Sequence, residues 1–73
     1  MKLHYYPETD SLYIELAERP SSDSQEVAPG VVLDFDVAGG LVGIDVDHAS
    51  SVVDLSRLEA VELPLSTLRA ASA

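Results

Sequence analysis

A chain of 73 residues with thirteen acidic and four basic side chains carries a formal net charge of −9 and no cysteine. That balance repels phosphate backbones and anionic membrane surfaces, and the absence of thiols excludes disulfides, thiolate zinc sites and cysteine nucleophiles. Hydrophobic residues still make up 47% of the sequence, too many for a disordered chain, so one small domain over residues 1–73 is expected.

A domain of this size buries only about 60% of the surface its unfolded chain exposes, and a lone core of this kind rarely supplies more than about 3 to 5 kcal/mol. With disulfides excluded, a second copy is the expected supplement, hence a homodimer. The opening Met1-Lys2-Leu3-His4 lacks the apolar run of a signal peptide, and no stretch approaches the roughly 18 apolar residues of a membrane span. A soluble, cytoplasmic protein is expected, with neither nucleic acid nor membrane as partner.

In the first expected hairpin Leu3 and Tyr5 alternate with Lys2, His4 and Tyr6, and Leu12, Ile14 and Leu16 alternate with Ser11, Tyr13 and Glu15. Pro7-Glu8-Thr9-Asp10 supplies the turn, since proline presets its backbone angle and Thr and Asp bond local backbone. This register sets Tyr5 opposite Leu12 and Leu3 opposite Ile14 on the core face. His4 then lies opposite Tyr13, and Lys2 opposite Glu15, on the outside. The polar stretch from Glu18 to Pro29 follows, and holds either a short edge strand around Val27 or a mobile binding loop.

The second hairpin turns at Val37-Ala38-Gly39-Gly40, with both glycines expected to supply positive backbone angles. It pairs Phe35 with Val42, Leu33 with Ile44 and Val31 with Val46. A one-residue slip would drive Asp34 and Asp36 into the core, so burial holds the register. Gly43 interrupts the last strand on its outer face opposite Asp34, marking a bulge, a flat spot under Tyr13 or a seat for a partner's side chain. From Ala49 a helix capped by Asp47 or His48 is expected, with Leu55, Leu58 and Val61 at helical spacing, either continuous or broken near Asp54-Leu55-Ser56. Pro64 stops it, and residues 70–73 fray. The expected class is α+β: a small antiparallel sheet of about four strands, two hairpins in a meander over residues 1–47, followed by a helix and tail over 48–73.

Four segments recur in one order in a known family: Tyr5-Tyr6-Pro7-Glu8-Thr9-Asp10-Ser11-Leu12-Tyr13-Ile14, Glu26-Val27-Ala28-Pro29-Gly30-Val31, Asp34-Phe35-Asp36 and Leu41-Val42-Gly43-Ile44-Asp45. Over residues 1–53 the chain resembles the small bacterial proteins grouped as domain of unknown function 2283. The resemblance carries no activity and no site residues. Its relatives encoded beside small toxin-like proteins imply an antitoxin-like or partner-binding role.

The outer face gathers a candidate partner-binding surface of His4, Tyr13, Asp34, Asp36, Asp45 and Asp47. Oxygen and imidazole groups of this kind also suit a divalent cation, with the 18–29 segment as a lid, which is the alternative reading. The bland reading is a solvated acidic face that keeps a small sheet soluble. His4 and His48 have structural roles available to them, and no nucleophile elbow or metal-spaced histidine pair accompanies the serines and acids. We therefore expect no enzyme and no cofactor, but an interaction module that engages a basic protein through its acidic surface, where opposite charge speeds encounter and suppresses wrong partners.

Overall fold

A computed structural model describes residues 1–62. Alternating apolar positions build five strands, β1 (Lys2–Tyr6), β2 (Ser11–Glu15), β3 (Asp23–Ala28), β4 (Val31–Phe35) and β5 (Leu41–Val46), followed by the single-turn helix α1 (Ala49–Val52). All neighbours pair antiparallel, and the strand order is β1-β2-β5-β4-β3. The antiparallel sheet is as expected, the 18–29 stretch takes the first of its two expected forms, and the meander order is corrected. The Glu18–Pro29 stretch contributes a fifth, edge strand, and the first hairpin docks on β5 rather than on the strand next in sequence.

Burial explains that docking. Pairing β2 with β5 sets Leu12 opposite Val46 and Ile14 opposite Ile44. Four apolar side chains thereby join one face, and Leu12 and Val46 are buried in a cluster completed by Ala49, with Ile14 and Ile44 packed against it. The core is thin: Leu12, Val42, Val46 and Ala49 are its buried residues. Residues 53–58 cross the same face over β1 and β2, leaving a groove of about 620 Å³ lined by Leu3, Tyr5, Ile14, Val53, Leu55 and Leu58 among others.

The first hairpin has the expected register throughout, from Lys2 opposite Glu15 to Tyr6 opposite Ser11. Lys2 nonetheless reaches past Glu15 to Glu18, at 3.9 Å. In the second hairpin Val31 faces Val46 and Leu33 faces Ile44 as expected, but Phe35 faces Leu41 instead of Val42. Asp36 is the reason. Its amide donates to Gly40 O at 2.8 Å and its carbonyl accepts from Gly39 at 3.0 Å, closing the loop one residue tighter. Val42 becomes the extra residue of a bulge, its carbonyl accepting from both Leu16 and Ala17, and its side chain is only 2% exposed. Of the two loop glycines only Gly39 has a positive φ, at 86°. Gly40 is required for space, since a β-carbon there would stand 2.9 Å from Asp36 Oδ2.

The helix is far shorter than its hydrophobic spacing suggests. Val53 is already extended, at φ −127° and ψ 156°. The β-branched Val52 and Val53 resist helical backbone, and the Asp54 side chain captures the Ser56 amide and hydroxyl, offering the chain a local alternative. Neither Asp47 nor His48 caps α1 through its side chain; His48 occupies the cap position with φ 52°. The cap arrives from the first hairpin turn instead, where Asp10 accepts from the Ala49 amide through its carbonyl and from the Ser50 amide and hydroxyl through its carboxylate. The stop at Pro64 and the frayed end lie outside the described residues.

The tightest constraint on the sheet is at Gly43, where a β-carbon would overlap the Tyr13 hydroxyl and stand 2.5 Å from Tyr13 Cζ. Gly43→Ala therefore displaces the ring and is expected to cost about 1 to 3 kcal/mol in urea unfolding, the range of overpacking substitutions. In a Tyr13→Ala background the same change is expected to cost much less, because the clashing group is gone.

Candidate functional site

The outer face is organised around Tyr13. From β2 its ring lies across Gly43 on β5, and its hydroxyl donates to Asp34 Oδ2 on β4 at 3.0 Å. The other oxygen of Asp34 accepts from Ser24 Oγ on β3 at 2.7 Å. This chain of contacts spans four adjacent strands. Gly43 is thus the flat spot under Tyr13 that its outward position suggested. Burial, then the hydrogen bond to Asp34, then the charges of Asp34, Glu15 and Asp45 push the Tyr13 phenol above its usual range.

Asp45 shares this face. Partial burial, followed by the charges of Asp47 and Asp34, holds its carboxyl above the usual carboxylate range. Asp34 sits opposite Gly43 and Asp45 opposite Val32, so the two acids are diagonal neighbours on adjoining strands. Such positions are about 7 to 8 Å apart, too far for a shared hydrogen bond and close enough for repulsion.

The structure divides the six candidate residues. Tyr13, Asp34 and Asp45 come together at the centre of the face, and His4 lies beside Tyr13 on β1, its ring 6.4 Å from that of Tyr6. Asp47 is exposed just past β5, its amide donating to Gly30 O at 2.7 Å. Asp36 is at the other end of the hairpin and is occupied in holding its own loop. Its carboxylate accepts from Gly40 N at 2.7 Å, Ala38 N at 2.9 Å and Arg19 Nε at 2.7 Å, which hold its pKa below the usual value. Among the described residues no three His, Asp or Glu side chains are arranged to hold a metal ion.

Three participants were not identified in the sequence. Ser24 had no signal beyond its place in a polar stretch. Asp10 was read as a turn residue only, although its carboxylate accepts from Ser50 and from Tyr5 Oη, the latter at 2.7 Å. Those bonds hold its pKa below the usual range. Arg19, in the same polar stretch as Ser24, reaches across to Asp36. Contacts between residues 17 to 40 positions apart leave no periodic trace in a single sequence.

The chain belongs to the DUF2283 family, described as protein of unknown function, whose model matches residues 2–50. The matched stretch covers all five strands and ends at Ser50, the residue tied to Asp10. No curated protein and no solved structure shows a match to the chain. No helix among the described residues is long and apolar enough to cross a membrane.

Opposite pH responses follow from these surroundings. Asp10 and Asp36 have folded pKa values below their unfolded ones, so their stabilisation is complete above the ordinary carboxylate pKa of about 4 and is lost as pH falls through the lowered values. Asp45 has a raised folded pKa. Its ionisation disfavours the fold at neutral pH, and that penalty fades as pH falls through the raised value. Urea unfolding is expected to show Asp45→Asn more stable than wild type at pH 7 and equal to it at pH 3. Asp36→Asn is expected to be less stable at pH 7 and to lose less stability on acidification.

Proposed function

We propose that this domain is a non-enzymatic interaction module whose outer sheet face receives the basic side chains of a protein partner. The observation that carries the reading is the position of Asp45, between the charges of Asp34 and Asp47 with no cation facing it among the described residues. Each described cation is engaged elsewhere: Lys2 with Glu18, Arg19 with Asp36 and Arg57 with Glu59. A partner's lysine or arginine placed beside Asp45 relieves repulsion that the domain itself leaves uncompensated.

Such charge pairing favours rapid encounter and selects against acidic partners more than it adds affinity. It leaves Asp10 and Asp36 out of the binding surface, since both are consumed by the fold. In the antitoxin-like version of this reading, the partner is a small basic protein whose working surface is covered on binding.

The test is native mass spectrometry of the protein isolated gently from its own cells, beside the triple variant Glu15→Gln/Asp45→Asn/Asp47→Asn isolated in the same way. The expected result is a co-purifying basic protein that the wild type retains, that the variant loses with its circular dichroism unchanged, and that high salt releases. A partner held equally well by the variant, or one without excess positive charge, contradicts the proposal.

A further inference from the structure

The sheet ends in two edges of opposite character. β3 carries Asp23 and Glu26 and loses register between Glu26 and Ala28, and Pro29 follows directly. Like charges and a bulge both discourage another strand from pairing there. β1 pairs regularly over all its residues and, among the described strands, is the one with no carboxylate. Its outer edge meets no described element, because the strand order ends there. Along that edge the apolar face is also incompletely covered: Leu3 and Tyr5 are each 44% exposed, and Leu58, across the groove, is 72% exposed.

We infer that β1 is the edge through which two copies of this chain dimerise, pairing antiparallel about a two-fold axis at His4. Five residues centred on His4 are self-complementary in this arrangement. His4 meets its own counterpart, Leu3 meets Tyr5, and Lys2 meets Tyr6. Leu3 and Tyr5 lie on the apolar face in both copies, so the pairing sets apolar against apolar and polar against polar. A centre at Leu3 or at Tyr5 would use fewer strand residues and bring the turn or the terminus into the seam.

Charge selects the same edge. Two chains of −9 repel each other, and β1 is the strand along which they meet without opposing carboxylates. Lys2 opposite Tyr6 adds a cation beside an aromatic ring. The two grooves, each flanking β1, become continuous across the axis, so Leu3 and Tyr5 gain the cover that one copy lacks. Because the contact is isologous it closes at two subunits, whereas β1 against β3 of another copy would propagate.

The chain has no cysteine, so one introduced thiol reports its own neighbours. Under mild oxidation His4→Cys is expected to convert largely to a disulfide-linked dimer on a non-reducing gel, while Ser24→Cys on β3 stays unlinked. Sedimentation equilibrium of the wild type at high micromolar concentration is expected to return twice the 7.8 kDa chain mass. The double variant His4→Glu/Tyr6→Glu, which brings four carboxylates into the seam, is expected to return the single mass with unchanged circular dichroism. A monomeric wild type overturns the inference, as does linkage through Ser24→Cys instead, a mass that keeps rising with concentration, or a double variant that remains dimeric. The triple variant Glu15→Gln/Asp45→Asn/Asp47→Asn leaves β1 untouched and is expected to dimerise as wild type, so this inference and the basic-partner reading fail independently.

Discussion

The contact on which the sheet depends is the passage of Tyr13 over Gly43 to Asp34, continued by Ser24. It links β2, β5, β4 and β3 from the outside, where the strands have no apolar layer to hold them. A hydrogen bond such as the half-buried one from Tyr13 contributes only about 0.5 to 1.5 kcal/mol, and the exposed one from Ser24 no more, so their main effect is on specificity. The inner face is apolar along β2, β4 and β5, and a slipped register there would still find hydrophobic neighbours for some side chains. Only one register places a residue without a side chain beneath the Tyr13 ring and a carboxylate at the end of it. The thin core makes that constraint more consequential than it would be in a larger domain.

Two further carboxylates act at the ends of the sheet. Asp10 ties the first hairpin turn to the start of α1 through Ser50 and to β1 through Tyr5, holding the helix over Leu12 and Val46. Asp36 closes the second hairpin and anchors Arg19, which fixes the segment leading from β2 to β3. Six of the thirteen acidic residues therefore fall into two groups. Asp10, Asp34 and Asp36 are engaged by donors from other parts of the chain and specify the fold. Asp45 and Asp47, with Glu15 on the same face, act on one another or on Tyr13 chiefly through charge.

Much of the architecture was legible because a half-buried strand alternates with a period of two. The pairs Leu3 with Ile14, Leu33 with Ile44 and Val31 with Val46 all follow from that alternation and from turn length. The register beyond Asp34 was not legible, because it depends on the Asp36 amide and carboxylate folding the loop back on itself. Nor was the single-turn helix. Leu55, Leu58 and Val61 have helical spacing, but Asp54 and Ser56 hold the backbone between them in a turn. At the candidate site, alternation placed Tyr13, Asp34 and Asp45 on one face correctly. It had no means of separating Asp36, whose side chain is directed to its own loop, from acids that remain on the face.

The Tyr13 ring lies on Gly43 and thereby joins the two halves of the sheet. A nuclear Overhauser spectrum of the isotopically labelled protein in solution reads that contact. Strong cross-peaks between the Tyr13 ring protons and the Gly43 α-protons, with two well-separated α-proton shifts at Gly43, are the expected result. A Tyr13 ring with no cross-peak to Gly43 and rapidly averaged shifts would contradict it.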